Sequence, residues 1–197
     1  ILAGTQILAK GLHFPNVTLV GVVSADTCLY IPDFRANERT FQLTSQVAGR
    51  AGRSEKRGVV YVQTYFPEQP AVKFAMSQDF EGFVREEMKH RQACDLPPFW
   101  RLAIVMLRDE KFEKVEAAAN AMRLRIDDAV QRQRFEAKIR GPMPAVISRI
   151  ERFHRIQIIV QTPDAAAMRK LFAALRAGKP IRPSVKISVD IDPVNLL

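Results

Sequence analysis

Two consecutive prolines near the middle of the chain, in Asp95-Leu96-Pro97-Pro98-Phe99, constrain this sequence more than any other feature. Neither can donate a backbone hydrogen bond, and each pushes the residue before it into an extended form, so no helix can run through them. The 197 residues are therefore expected to form two domains, 1–95 and 96–197. With 47% of residues hydrophobic, a real core can be buried.

The first domain alternates short β-branched runs with longer helical stretches, the pattern of an α/β layer on a parallel sheet. Val17 to Val23 and Gly58 to Thr64 read as strands. Asn37 is a candidate N-cap for a helix running through Phe41 and Val47 toward Arg50, and Glu68 to Met76 and Asp79 to Ala93 read as two more helices. Beyond the prolines the order is strand (Arg101 to Leu107), helix (Phe112 to Arg132), short strand (Lys138 to Arg140), strand (Arg155 to Gln161), helix (Asp164 to Ala177), strand (Ser184 to Ile191). That βαββαβ order predicts a small ferredoxin-like α+β domain.

Charge separates the two halves. Residues 1–100 hold 11 basic and 10 acidic side chains, whereas residues 101–197 hold 19 and 11, so nearly all of the net +9 lies in the second half. Between Asp164 and Asp190 there is no acid, yet Arg169, Lys170, Arg176, Lys179, Arg182 and Lys186 fall there. Such a field favours a polyanion or an acidic peptide as partner. Arg149, Arg152 and Arg155 add a second basic stretch that could track a DNA backbone. Aromatic residues are sparse in this half, mainly Phe135, Phe153 and Phe172, so a stacking platform for single strands is not evident. Phe172 reads as core and Trp100 as an interdomain packing residue.

No apolar run approaches the roughly 20 residues that cross a bilayer. Cys28 and Cys94 stand far apart with no C-x-x-C around either, so no metal site and no disulfide framework is expected. The chain opens on Ile1 rather than Met, and Ile1 to Thr5 reads like the end of a buried strand, which predicts a fragment.

The most specific motif is Gln46-Val47-Ala48-Gly49-Arg50-Ala51-Gly52-Arg53. Two arginines three residues apart at a helix end share one side, and a glycine before each lets backbone or ligand come close. Planar, permanently charged guanidinium forks suit phosphate oxygens. A solvated surface pair would explain the charges but not the glutamine and both glycines.

This octapeptide resembles motif VI of superfamily 2 helicases, whose arginines reach the γ-phosphate of a nucleotide. Gly4-Thr5-Gln6-Ile7-Leu8-Ala9-Lys10-Gly11-Leu12-His13-Phe14-Pro15 resembles motif V of the same superfamily, at a fitting distance. With the segment Asp33 to Arg39, the Leu96-Pro97-Pro98-Phe99 junction and the terminal Asp190-Ile191-Asp192-Pro193, the chain resembles the C-terminal portion of the primosomal protein N-prime family, bacterial replication-restart helicases.

The resemblance implies a partial RecA-like second helicase lobe followed by an S10-like basic domain, together part of an ATP-dependent 3′-to-5′ DNA helicase. It gives Arg50, Arg53 and Gln46 catalytic roles, the arginines as fingers worth about 10³ to 10⁵ in rate. Gly49, Gly52, Gly11 and Lys10 become nucleotide-binding or coupling residues, and Thr5 and Gln6 contact DNA. A ribose contact by His13 is not expected, because many related helicases carry an Asp there. ATP and Mg²⁺ are the implied cofactors of the full-length protein, with zinc in a family insertion absent from this chain. Forked and single-stranded DNA, the acidic tail of single-stranded DNA-binding protein and primosome proteins are the implied partners, in the cytoplasm and nucleoid. Neither a G-x-x-x-x-G-K-[ST] loop nor a D-E-x-H box is present, so this chain alone is expected to lack ATPase activity. Two alternatives stand beside this reading: a non-catalytic DNA- or protein-binding module, and another superfamily 2 enzyme such as one that reverses forks.

Overall fold

The computed structural model describes residues 1–4, 17–49, 58–178, 181 and 184–196. The chain divides into two compact units, Ile1–His90 and Arg91–Leu197. Together they make a mixed α/β protein with two sheets.

In the first unit, strands β1 (Leu19–Val22) and β2 (Val59–Val62) pair in parallel, with Leu19 opposite Val59 and Val22 opposite Val62. A parallel pair needs a long crossover, and helix α1 (Ala36–Ala48) lies within it. The chain leaving β1 makes a short 3-10 turn, Ala25–Cys28, that is fastened to the end of β2. Buried Asp26 accepts hydrogen bonds from the Thr64 hydroxyl (2.6 Å) and the Tyr65 amide (2.8 Å). Those two bonds, the Thr64 one first, hold the Asp26 carboxyl below its ordinary value against the opposing effect of burial.

Helix α1 begins at Ala36, and Asn37 is not its cap. Asp33 organises the start instead: its carboxylate accepts from the Arg35 amide at 3.0 Å and pairs with Arg39 at 3.1 Å. The Asn37 side chain is spent on tertiary bonds, donating to Glu87 (3.2 Å) and accepting from Gln69 (3.0 Å). It thereby links α1 to α2 (Pro70–Ser77) and α3 (Phe80–Ala93). Gln69 also caps α2 by accepting from the Ala71 amide, with Pro70 in the first turn. Phe41 and Phe83 stack at 4.3 Å and, with Ala71 and Ala75, form the small core beneath these helices.

The second unit follows the order β3 (Arg101–Asp109), α4 (Phe112–Gln133), β4 (Lys138–Ile150), β5 (Phe153–Thr162), α5 (Ala165–Ala177), β6 (Lys186–Ile191). The sheet order is β4-β5-β3-β6, every neighbouring pair antiparallel. Side chains alternate across a strand, so Ala103, Val105 and Leu107 of β3 and Ile156, Ile158 and Val160 of β5 share one face. These residues form one core with Val115, Met122 and Ile126 of α4 and Met168, Leu171 and Phe172 of α5. Both helices therefore lie on that face, and Phe172 is core as expected. Helix α5 is capped by Asp164, whose carboxylate accepts from the Ala167 amide at 2.7 Å.

Strand β4 is much longer than the three residues expected. Pro142 and Pro144 obscure it in the sequence, because proline cannot donate to a ladder; β4 is an edge strand, where that loss is tolerated. The ladder with β5 is irregular between Arg140 and Met143 and again between Pro144 and Arg149. Gly141 stands at the first irregularity with φ 94°, and a Cβ there would lie 2.7 Å from the Gln157 carbonyl oxygen, so only glycine fits.

The segment around the prolines is held to this sheet. Gln161 donates to the Asp95 carbonyl at 2.7 Å, Lys138 pairs with the Asp95 carboxylate, and Lys138 sits 5.2 Å from the Trp100 ring.

Candidate nucleotide-facing helix and nucleic-acid interface

Two sets of expected site residues fall on different units. Thr5, Gln6, Lys10, Gly11, His13, Arg50, Gly52 and Arg53 lie outside the described residues. Of the motif in the first unit, Gln46, Val47, Ala48 and Gly49 are described. Helix α1 buries Ala36, Thr40, Phe41 and Thr44, and Gln46 is exposed away from that face. The helix stops at Ala48, earlier than expected, with Gly49 as its C-cap donating to the Ser45 carbonyl at 2.9 Å. Gly49 has φ −69°, and a Cβ on it would make ordinary contact at 3.4 Å, so its own fold does not demand glycine.

The second set, Arg149, Arg152 and Arg155, sits at the β4–β5 hairpin end of the four-stranded sheet. The three do not form one row. Arg149 faces His154 across the hairpin. Arg152, in the turn, pairs with Glu110 at 2.9 Å. Arg155 donates to the Ile147 carbonyl at 3.1 Å.

Register brings Arg155 and Lys186, both named in the basic stretches of the sequence, together with Arg108, which the sequence did not single out. Arg155 of β5 lies directly opposite Arg108 of β3, and Arg108 lies directly opposite Lys186 of β6. By alternation these side chains project from the face away from α4 and α5. Phe153 belongs to the same face, two residues before Arg155. Its ring has Lys186 at 5.5 Å, Arg152 at 5.7 Å and Arg108 at 6.0 Å from the centroid. Arg108, Arg152 and Lys186 are exposed and Phe153 is half-buried.

Like charges directly opposite on neighbouring strands repel, and among the described residues no carboxylate pairs with Arg108, Arg155 or Lys186. Only Arg152 has a carboxylate of its own. Such an arrangement is electrostatically able to accept negative charge from a ligand. The signal available in the sequence was a basic residue near the end of one strand and another at the start of a later one, Arg108 and Lys186, but their adjacency depends on sheet order. The sparse aromatics of this half do not read as a stacking platform in the sequence, and Phe153 acquires its cationic surroundings only through the fold.

No group of metal-ligating side chains occurs among the described residues, and Cys28 and Cys94 are free thiols. No described helix is long and apolar enough to cross a membrane.

The mixed α/β chain, whose antiparallel second unit displays cations that no described carboxylate pairs with, falls by similarity among primosomal proteins. The family described as primosomal protein N C-terminal domain matches residues 92–194, and the chain belongs to that family. Over its whole length it is similar to curated proteins named replication restart protein PriA. It is 40% identical over 203 residues to that of Bacillus subtilis (strain 168), covering 100% of this chain and 24% of the relative. It is 37% identical over 197 residues to that of Treponema pallidum (strain Nichols), covering 100% and 30%. The protein of Haemophilus influenzae (strain ATCC 51907 / DSM 11121 / KW20 / Rd) is 36% identical over 197 residues, covering 100% and 27%. The chain thus spans 24–30% of the length of these relatives.

Proposed function

We propose that this chain is part of an ATP-dependent 3′-to-5′ DNA helicase acting in replication restart and primosome assembly. The observation that carries the reading is similarity along the entire chain to replication restart proteins, together with the Gln46 to Arg53 motif in the sequence, whose first three residues close α1. The family match favours this reading over another superfamily 2 enzyme such as one that reverses forks.

In this reading the first unit is part of a RecA-like lobe that supplies one wall of an ATP site. Arg50 and Arg53 donate to the γ-phosphate oxygens as negative charge builds on the transferring phosphoryl group, which needs no covalent step from the protein. Gln46, exposed at the end of α1, positions the nucleophile or the phosphate. Gly49 and Gly52 keep Cβ atoms out of the way of the nucleotide, and Lys10 and Gly11 couple it to Thr5 and Gln6 on the DNA backbone. The phosphate-cradling loop and the ligands that hold Mg²⁺ come from the other lobe, so the chain alone does not turn over ATP. Zinc belongs to an insertion elsewhere in the full-length protein.

The second unit, with its βαββαβ order, is in this reading a ferredoxin-like, S10-like module. Its basic surface contacts single-stranded or forked DNA, with the acidic tail of single-stranded DNA-binding protein and primosome proteins as further partners. Arg149, Arg152 and Arg155 are its first candidates for DNA contact.

The test is DNA-stimulated ATPase activity of the full-length protein. Arg53→Ala is expected to lower the turnover number by about 10³ to 10⁵ while DNA binding persists. Undiminished turnover in Arg53→Ala would overturn the arginine-finger assignment. Intact DNA binding with no DNA-stimulated ATPase in the unmodified protein would favour the non-catalytic module.

A further inference from the structure

We propose that Lys186, Arg108 and Arg155 form a phosphodiester-binding row for single-stranded nucleic acid, running across strands β6, β3 and β5 with Phe153 at its side. The proposal rests on the reading that the second unit contacts DNA and names where and how it does so. Four observations on one face converge. The two registers Arg108↔Arg155 and Arg108↔Lys186 place three cations side by side, one from each strand. None has a carboxylate partner among the described residues. Three cations, two of them from that row, lie 5.5–6.0 Å from the Phe153 ring centroid. The strand that ends the row, β6, is the exposed edge of the sheet, so a ligand can leave the surface there without obstruction from a further strand.

Spacing selects the ligand. Neighbouring strands lie about 4.8 Å apart, so three consecutive cations span about 10 Å. A nucleic-acid strand carries roughly two to three phosphates over that length. Arginine forks match phosphate oxygens in two-point contacts, and a half-exposed aromatic ring offers one base a face to stack on. An acidic peptide would satisfy the charges but would leave Phe153 without a planar partner, and a duplex would present no free base face.

Arg152 has a conditional place in this scheme. It already contributes to the Phe153 cluster but is paired with Glu110 at 2.9 Å, so Glu110 competes with phosphate for it. Glu110→Gln is expected to strengthen nucleic-acid binding, opposite to the loss of any row cation.

The experiment measures binding of the 197-residue chain to oligothymidylate, to a duplex of equal length and to polyglutamate, each across 50 to 200 mM salt. Each phosphate contact to a single strand contributes about 0.7 to the slope of log affinity against log salt. The double variant Arg108→Gln, Lys186→Gln is therefore expected to lose about 1.4 from that slope. Over the fourfold salt range the unmodified chain then weakens about 7-fold more than the variant. Arg108→Lys should retain the slope, and Arg132→Gln, which removes an exposed cation paired with Asp128 on α4, should leave it unchanged. Phe153→Leu should weaken oligothymidylate without changing the slope.

If the unmodified chain binds oligothymidylate and the double variant shows the same slope, the row is wrong and DNA contact lies elsewhere on the chain. Absence of any DNA binding by the unmodified chain overturns both the row and the DNA-contact reading. Loss of polyglutamate binding in the double variant with oligothymidylate unaffected makes the row a site for acidic protein tails and overturns the proposal.

Discussion

Removing the central cation of the row should change stability in a way that depends on salt. Arg108 has a like-charged neighbour on each side, Arg155 and Lys186, in direct register. Placing the side-chain charges about 6 Å apart, each neighbour costs about 0.7 kcal/mol at the dielectric of water. At 0.01 M salt the Debye length is about 30 Å and most of both terms survives, about 1 kcal/mol in all; at 1 M it is about 3 Å and about 0.2 kcal/mol remains. Arg108→Gln removes this repulsion. It also removes the contact with Phe153, but at 6.0 Å that contact sits at the limit for a cation over a ring and is insensitive to salt. Relative to the unmodified chain, Arg108→Gln should therefore be about 0.8 kcal/mol better off at 0.01 M than at 1 M. Urea, being uncharged, lets the same unfolding curve be recorded at both salts. With a slope of about 1–3 kcal/mol per molar, the relative midpoint should move by roughly 0.3–0.8 M. Lys186→Gln, with one neighbour in the row, should show about half the effect. Arg132→Gln removes an attraction to Asp128 instead and should show the opposite sign. A stability gap between Arg108→Gln and the unmodified chain that is identical at both salts would refute the claim that these charges repel one another.

Two further outcomes follow from local geometry. Asp26 has its carboxyl held below the ordinary value of 3.8, chiefly by the Thr64 hydroxyl and then by the Tyr65 amide. A lowered folded value contributes stability that is present above the unfolded value and disappears as pH falls through the folded one. The urea midpoint of the first unit should thus exceed that of Asp26→Asn at neutral pH, and the gap should close as pH is taken well below 3.8. Asp164→Ala removes the cap of α5 and should destabilise the second unit by about 1 kcal/mol, whereas Asp164→Asn should retain most of that through the same bond to the Ala167 amide. Thermal unfolding of the two variants side by side checks it.

Much of the second unit was legible because its signals are local. Asp164 before an alanine-rich apolar stretch marks the start of α5, and the alternation from Arg101 marks β3. Local signals misled where a residue was used at long range. Asn37 has the composition of a cap, but its amide is committed to Glu87, fifty residues on, while Asp33 does the work at the helix start. The prolines of β4 read as the end of a strand because nothing in the sequence says that the strand lies at an edge. The site followed the same division. Gln46 and Gly49 lie together at the C-terminal end of α1 because a helix and its C-cap are contiguous in the chain. Arg108, Arg155 and Lys186 become neighbours only through two antiparallel registers joining residues 47 and 78 positions apart in all, Arg108 to Arg155 and Arg108 to Lys186. No window along the sequence contains them together.

If this chain works inside an ATP-driven DNA motor, as proposed, strand displacement by the full-length protein will report it most directly. The substrate is a fork with a labelled strand, offered with a 3′ or a 5′ single-stranded tail, with hydrolysable ATP or a non-hydrolysable analogue. Displacement is expected from the 3′-tailed substrate with ATP alone, abolished by Arg50→Ala or Arg53→Ala under conditions where both variants still bind the fork. Fork binding without ATP-dependent displacement, or displacement that survives both arginine substitutions, would contradict it.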